Sequence, residues 1–464
     1  MAARLDVKRW VVASGLAALA WVFGLVAGIE PKFTLVAAAG LAFVLLAFVD
    51  LTAAVVVFMV GAFLEYLVVA GPVLSFPKLG GLILGLAWLA RIASRGHQSE
   101  RTFFSEYPIA SALLGGFLAW ALLSLAWSED IGASFGDLYR YALNAVLFLI
   151  VFSAVQTRKQ AEVMFGGFIL GALIAAAYGI VTPPAPEADE FREAGAIGSP
   201  NELAAVLIAG AAFAIGAAIG TRRTPLFRMA LIGIATFCLL ATFLTASRSA
   251  MIALAACLLA AVLVGGRARL AVLGMSVLIA FGALTYLTAF APAEVRDRIT
   301  ETLPGQAPST EGRFTIWQVG WRMVEDQPLV GVGVGNFRVS SIHYLDEPGS
   351  LARTDFIIDD PRVAHSIYLQ ILAELGLIGV VLFFSLIAFC AGSAIAAAQQ
   401  FARLGDRLME AMSRALVVAL VNMLVIYAFQ SGQFSKVLWI LLALGPSMMA
   451  IARSRSRSSP EIAT

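Results

Sequence analysis

Apolar residues run through this chain in long stretches separated by short polar connectors. Most of the stretches carry no charge near their centres, and they approach or exceed the roughly 20 residues a helix needs to cross a bilayer. They begin near residues 10, 33, 51, 79, 108, 140, 163, 201, 229, 250, 270, 367, 414 and 437. The stretch near residue 79 is short and also reads as re-entrant, so the pattern predicts about twelve to fourteen spans. One interval departs from it: residues 291–364 are polar and lie between hydrophobic helices. The expectation is an all-α, polytopic membrane helix bundle over residues 1–452, interrupted by one long, partly helical loop at 291–364. Residues 453–464, rich in Arg and Ser, read as a disordered tail able to touch anionic headgroups.

Composition agrees with the pattern. Hydrophobic side chains make up 60% of the 464 residues and charged ones 13%, and the mean hydropathy is +0.88, far above a water-soluble domain of this length. The net charge of +2 conceals a strong asymmetry. Arg4, Lys8, Arg9, Arg91, Arg95, Arg101, Arg158, Lys159, Arg222, Arg223, Arg228, Arg267, Arg269, Arg403, Arg407, Arg453, Arg455 and Arg457 all fall on one side of the alternating spans. The opposite connectors are poor in basic residues, or acidic as in Glu129-Asp130 and Glu187-Ala188-Asp189-Glu190. Because short cytoplasmic loops are rich in Lys and Arg, both termini are expected in the cytoplasm and the long loop on the far side. The asymmetry is a topology signal and does not point to nucleic acid. Cys238, Cys257 and Cys390 all sit inside expected spans, which gives no disulfide framework. With only His97, His343 and His365 in the chain, a cage of several histidines around a metal is not expected.

The polar groups that could carry chemistry cluster at the loop side. Arg248 lies in Thr245-Ala246-Ser247-Arg248-Ser249, a short link between two apolar spans. Its guanidinium could hold a phosphate through two parallel hydrogen bonds, or simply anchor the hairpin at the interface. Arg313 opens an amphipathic stretch, Phe314 to Val324, with Trp317 and Trp321 one turn apart, as expected of a helix lying in the interface with its aromatics toward acyl chains. His365 stands just before the span that begins near Ile367, followed by Tyr368, Gln370 and Glu374. Histidine is the side chain best suited to take a proton near neutral pH, and a capping or interfacial role is the alternative. The glycines of Gly331-Val332-Gly333-Val334-Gly335-Asn336-Phe337 do not form a nucleotide loop, because no soluble α/β unit surrounds them. They are expected to turn tightly after Pro328, near headgroups or a substrate. Asn201 is expected to cap the helix that follows Ser199-Pro200, with Glu202 in its first turn. Asp50 fits a tight turn, and Glu65 lies near the outer end of a span.

In chain order, Thr245-Ala246-Ser247-Arg248-Ser249, Gly312-Arg313-Phe314 with Trp317, Asp326 through Phe337, and His365-Ser366-Ile367-Tyr368-Leu369-Gln370 with Glu374-Leu375-Gly376 resemble the O-antigen ligase and polymerase superfamily. Each piece is weak alone; the ordered set over residues 198–380 is specific. The resemblance implies a metal-independent, cofactor-free glycosyltransferase in the bacterial inner membrane. Its active site would be periplasmic, its donor an undecaprenyl-diphosphate-linked glycan, and its acceptor lipid A-core or a growing glycan chain. It assigns His365 to deprotonating or orienting the acceptor hydroxyl, and Arg248 and Arg313 to holding the diphosphate. Ser247, Trp317, Asn336, Tyr368 and Glu374 join them as substrate-binding or supporting residues, as does Arg140 in Asp137-Leu138-Tyr139-Arg140-Tyr141. Family members often carry Asn after the histidine, where this chain has Ser366. The motifs leave open ligation onto lipid A-core against polymerisation of O-antigen, exopolysaccharide or adhesive polysaccharide. A transporter of lipid-linked sugars would call for inverted repeats and charges meeting at midplane, which the chain does not display.

Overall fold

The computed structural model of the protein describes residues 31–64, 76–95, 102–181, 199–291, 293, 296, 308–345, 351, 354–358 and 361–457. The first expected span, Glu65, His97 and the acidic connector at 187–190 lie outside the described residues. So do residues 458–464, the end of the expected tail; the residues before them, up to Arg457, continue the last helix.

Among the described residues fourteen helices build the bundle: α1 (Pro31–Val49), α2 (Leu51–Phe63), α3 (Phe76–Arg95), α4 (Pro108–Leu123), α5 (Ile131–Ala154), α6 (Arg158–Val181), α7 (Pro200–Gly220), α8 (Pro225–Leu244), α9 (Arg248–Val264), α10 (Arg269–Thr285), α11 (Pro308–Asp326), α12 (Ile367–Arg403), α13 (Arg407–Ile426) and α14 (Lys436–Arg457). Short helical turns join several of them, and no strand occurs among the described residues. Ten of the described helices are long and apolar enough to cross a membrane, with shorter apolar helices in α1, α2 and α9. The chain is therefore a multi-pass helical bundle, as the hydropathy pattern predicts. The run near residue 79 forms a continuous twenty-residue helix, α3.

Helix starts follow local chemistry. Asp50 caps α2 by accepting from Ala53 N at 3.1 Å, and Asp130 caps α5 by accepting from Ala133 N at 3.0 Å. Each satisfies one of the amides that the first turn leaves without a helical partner. The cap of α7 is Ser199, whose Oγ accepts from Glu202 N at 3.4 Å. The expected cap, Asn201, lies inside the helix and bonds elsewhere. Between spans, where lipid offers no water, side chains reach across to backbone carbonyls. Thr52 Oγ1 donates to Ala154 O at 2.7 Å, and Asn422 Nδ2 donates to Ala205 O at 2.7 Å, tying α13 to α7.

The two ends of the bundle differ as the charge pattern predicts. At one end Arg158 pairs with Asp406 and Glu162, both at 2.9 Å, and Arg455 shares the same Asp406. At the other end lie the beginnings of α5, α7, α9, α12 and α14, together with α11. This second end holds the candidate site.

Candidate functional site

The site is organised by a break in α12. At about 1.5 Å rise per residue a 37-residue helix spans far more than a bilayer's ~30 Å core, and the helix is interrupted at Gly376 (φ 63°, ψ −168°). The left-handed φ suits glycine, and a Cβ there would collide with the Leu329 carbonyl. Backbone groups released by the break are taken up by the glycine-rich loop. Val332 N and Gly333 N donate to Ala373 O and Glu374 O, each at 2.9 Å, and Leu377 N donates to Pro328 O at 2.9 Å. Trp120 Nε1 donates to Leu375 O at 2.9 Å, and Trp127 Nε1 to Gly331 O at 3.0 Å. Residues 328–336 thus plug a broken helix. Their glycines approach backbone, where the sequence suggested headgroups or substrate.

Asn336 completes the plug. Its side chain is fully buried; Oδ1 accepts from Asp130 N at 2.7 Å, and Nδ2 donates to Ser134 Oγ at 2.6 Å and Val334 O at 3.0 Å. This fastens the loop to the start of α5. Close by, Glu129 accepts from Ser340 Oγ at 3.1 Å and bonds His343 Nε2 at 2.8 Å, a contact that holds its carboxyl below the usual range.

Above the break stands the turn that carries His365. His365 has φ 48°, and the only other non-glycine residue with positive φ among those described is Ala246 (φ 46°). Both immediately precede a serine that caps a helix: Ser366 Oγ accepts from Leu369 N at 3.5 Å and Ser247 Oγ from Ala250 N at 3.2 Å. Left-handed backbone in such residues costs of order 1–3 kcal/mol each, a strain that proteins concentrate at functional sites. Ser366 thus serves as the N-cap of α12.

The strained turn is held from two sides. Trp317 Nε1 donates to Ala364 O at 2.9 Å. Ala364 N donates to Gln370 Oε1 at 2.8 Å, which also accepts from Ser431 Oγ at 3.0 Å, while Gln370 Nε2 donates to Glu374. Glu374, buried below Gln370, accepts also from Phe337 N at 3.4 Å. The carboxylate therefore acts on the histidine turn through Gln370. Gln370 lies within the motif read from the sequence, whereas only the fold brings Ser431 to the turn.

Arg313, half-buried on α11, lies near enough for its charge to act on His365. Burial, then the charges of Arg313, Arg362 and Arg338, push the imidazole down from 6.5 to about 4, so it is neutral at neutral pH. α11 lies on α12 through Ile316, Val319 and Met323, which pack with Phe337, Ala364 and Ala373. This amphipathic helix thus turns its apolar face onto protein. Its aromatics Phe314, Trp317 and Trp321, with Tyr368, Phe384 and Phe429, line an open groove beside Ser366. Tyr368 stacks on Phe384 at 5.0 Å and donates its hydroxyl to Leu424 O at 3.2 Å.

Ser247 and Arg248 stand at the start of α9, and Arg140 lies on α5. Ser247, buried, donates to Asn201 Oδ1 at 2.7 Å and lies 3.0 Å from Ser249 Oγ, which fixes the start of α9 against α7. Arg248 is the first residue of α9. Arg140 pairs with Asp137 at 3.3 Å and lies over the Phe434 ring, 5.5 Å from its centroid. The outer end of α13 is bonded to α7 through Asn422 and to α12 through Leu424. The arrangement offers cations for an anionic group, a neutral imidazole to accept a proton, and an aromatic groove open to acyl or isoprenoid chains.

Residues 233–384 match the family model of the O-antigen ligases. The match contains Arg248, Arg313, Trp317, Asn336, His365, Tyr368 and Glu374 and excludes Arg140. It agrees with the resemblance read from the motifs and supports a ligase- or polymerase-type function in the membrane. No curated protein matches the chain.

Proposed function

We propose that the protein is a polyprenyl-diphosphate-dependent glycosyltransferase of the ligase kind, moving a glycan from undecaprenyl diphosphate onto a hydroxyl of lipid A-core at the periplasmic face of the inner membrane. The observation that carries this reading is the juxtaposition of Arg313 with the strained, neutral His365 beside an aromatic groove. No nucleotide sugar is available outside the cytoplasm, so a donor there arrives on lipid.

In this mechanism Arg313 and Arg248 bind the diphosphate and offset the charge that grows on it as the anomeric bond breaks. The acceptor hydroxyl loses its proton to His365 as its oxygen attacks the anomeric carbon, and the polyprenyl diphosphate leaves without any metal ion. A binding anion would weaken the field that depresses the imidazole. Donor binding would in this way raise the basicity of His365 when a base is needed. Gln370 and Glu374 act as positioning residues for its turn.

The test is deletion of the gene in its host, with lipopolysaccharide and secreted polysaccharide resolved on gels and Arg248→Ala, Arg313→Ala and His365→Ala variants as complementation. Loss of the whole ladder from lipid A-core with accumulation of lipid-linked polymer is the expected result. Loss of long chains with one repeat still attached, or of a secreted polymer with an intact ladder, would assign the same site to a polymerase. Full transfer by His365→Ala protein would sink the base assignment.

A further inference from the structure

At the end of the bundle opposite the site, an apolar cavity of about 420 Å³ opens between α7, α9, α10 and α13. One wall is Ile208, Ala211 and Ile215; the other is Val272, Met275 and Ile279 of α10. α10 packs mainly on α9 and is otherwise open to the surroundings, so protein does not fill the gap. An apolar slot in a membrane protein is poorly suited to water, which needs two to four polar partners, and well suited to a hydrocarbon chain.

The slot leads to charge. Gly220 and Arg407 line both this cavity and an adjoining polar cleft of about 540 Å³. The cleft is walled by Arg158, Arg222, Arg223, Arg407 and Arg455 against only Glu162 and Asp406. Both acids are engaged by Arg158, and Asp406 also by Arg455. The lining therefore retains an excess of positive charge beside the mouth of the slot, and Arg267 adds to it at the slot's own base, where Arg414 is paired with Glu410 at 2.8 Å.

We infer that this two-part cavity is a binding site for an anionic phospholipid, one acyl chain in the slot between α7, α10 and α13 and its phosphate in the arginine cleft. Basic pockets between spanning helices recognise headgroups in this way. The chain would complete the packing of α10, and the site is separate from the transfer site at the other end of the molecule. A polyprenyl donor whose diphosphate lies at Arg248 and Arg313 would not place its phosphates here.

The test uses the full-length protein, delipidated in detergent, with phosphatidylglycerol and phosphatidylcholine of the same chains as probes. Phosphatidylglycerol should remain bound in native mass spectrometry and raise the melting temperature by several degrees; phosphatidylcholine should do neither. A photoreactive acyl chain on phosphatidylglycerol should label Val272 or Met275. The Arg222→Gln/Arg407→Gln pair should bind phosphatidylglycerol roughly thirtyfold more weakly, at about 1 kcal/mol for each arginine. Equal stabilisation by the two lipids, labelling elsewhere in the wild-type protein, or displacement of the label by polyprenyl phosphate would each overturn the proposal. Because labelling is read on wild-type protein, a poorly folded variant leaves the test intact.

Discussion

The indole of Trp317 donates to the carbonyl of Ala364 at 2.9 Å, one residue before His365. Through this bond the amphipathic helix that carries Arg313 fixes the turn that carries the histidine. Trp317→Phe keeps the aromatic packing and removes only the donor, leaving the Ala364 carbonyl without that partner. A buried hydrogen bond of this kind contributes about 1–1.5 kcal/mol. Transfer of glycan in membranes should fall about tenfold at unchanged protein level. Unchanged transfer would mean that α11 and the turn are not coupled.

If His365 takes the acceptor's proton as proposed, its depressed pKa should set the acid limb of the rate profile. Its folded value, about 4, lies below the ordinary 6.5 because of burial and then of Arg313, Arg362 and Arg338. In the unliganded enzyme the unfolded chain binds the proton first. This group's contribution to stability is therefore whole above about 6.5, and it declines as pH falls from there toward 4. Arg362→Gln removes one depressing charge while sparing Arg313. The acid limb of transfer measured against pH should move to higher pH in this variant. A limb that stays in place would show that the profile reports another group.

Gly376 and Gly392 lie on the same helix and predict opposite outcomes. A Cβ at Gly376 meets the Leu329 carbonyl in left-handed backbone, whereas one at Gly392 has open space around it. Gly376→Ala should destabilise the protein by at least 1–3 kcal/mol and lower its level in the membrane. Gly392→Ala should be silent or slightly stabilising, since it removes a mid-helix glycine. Melting in detergent by scanning fluorimetry separates the two; equal midpoints would mean that the break at Gly376 is not needed.

Hydropathy made the bundle legible, because a 20-residue apolar run has few other homes than a membrane. Charge placement made the two ends legible: the arginines assigned to one side do meet there, as Arg158 and Arg455 do on Asp406. The motif around His365 named Glu374 as a support for the histidine, and in the structure its carboxyl reaches that turn through Gln370. The function of the glycine-rich loop was hidden. Nothing local in Gly331-Val332-Gly333 reveals that its amides fill a gap opened forty residues later in α12. Ser431 was equally hidden, for its partner Gln370 lies on another helix.

Gln370 links the His365 turn, Ser431 and Glu374. One amide oxygen receives both Ala364 N and Ser431 Oγ, and the amide nitrogen is held by a carboxylate that is itself buried against the glycine-rich loop. Gln370→Glu would place a second carboxylate against Glu374 and oppose the oxygen's acceptor role only where it is protonated; Gln370→Leu removes both functions and leaves Glu374 without its donor. Breaking a buried polar network by removing one member costs about 1–3 kcal/mol. Gln370→Leu should therefore lower the melting temperature, and by loosening the His365 turn it should reduce turnover at saturating donor by about tenfold or more. If the residue served packing alone, turnover per folded molecule would stay at the wild-type value while stability fell. Measuring the two together on detergent-purified protein decides between a positioning role for Gln370 and a structural one.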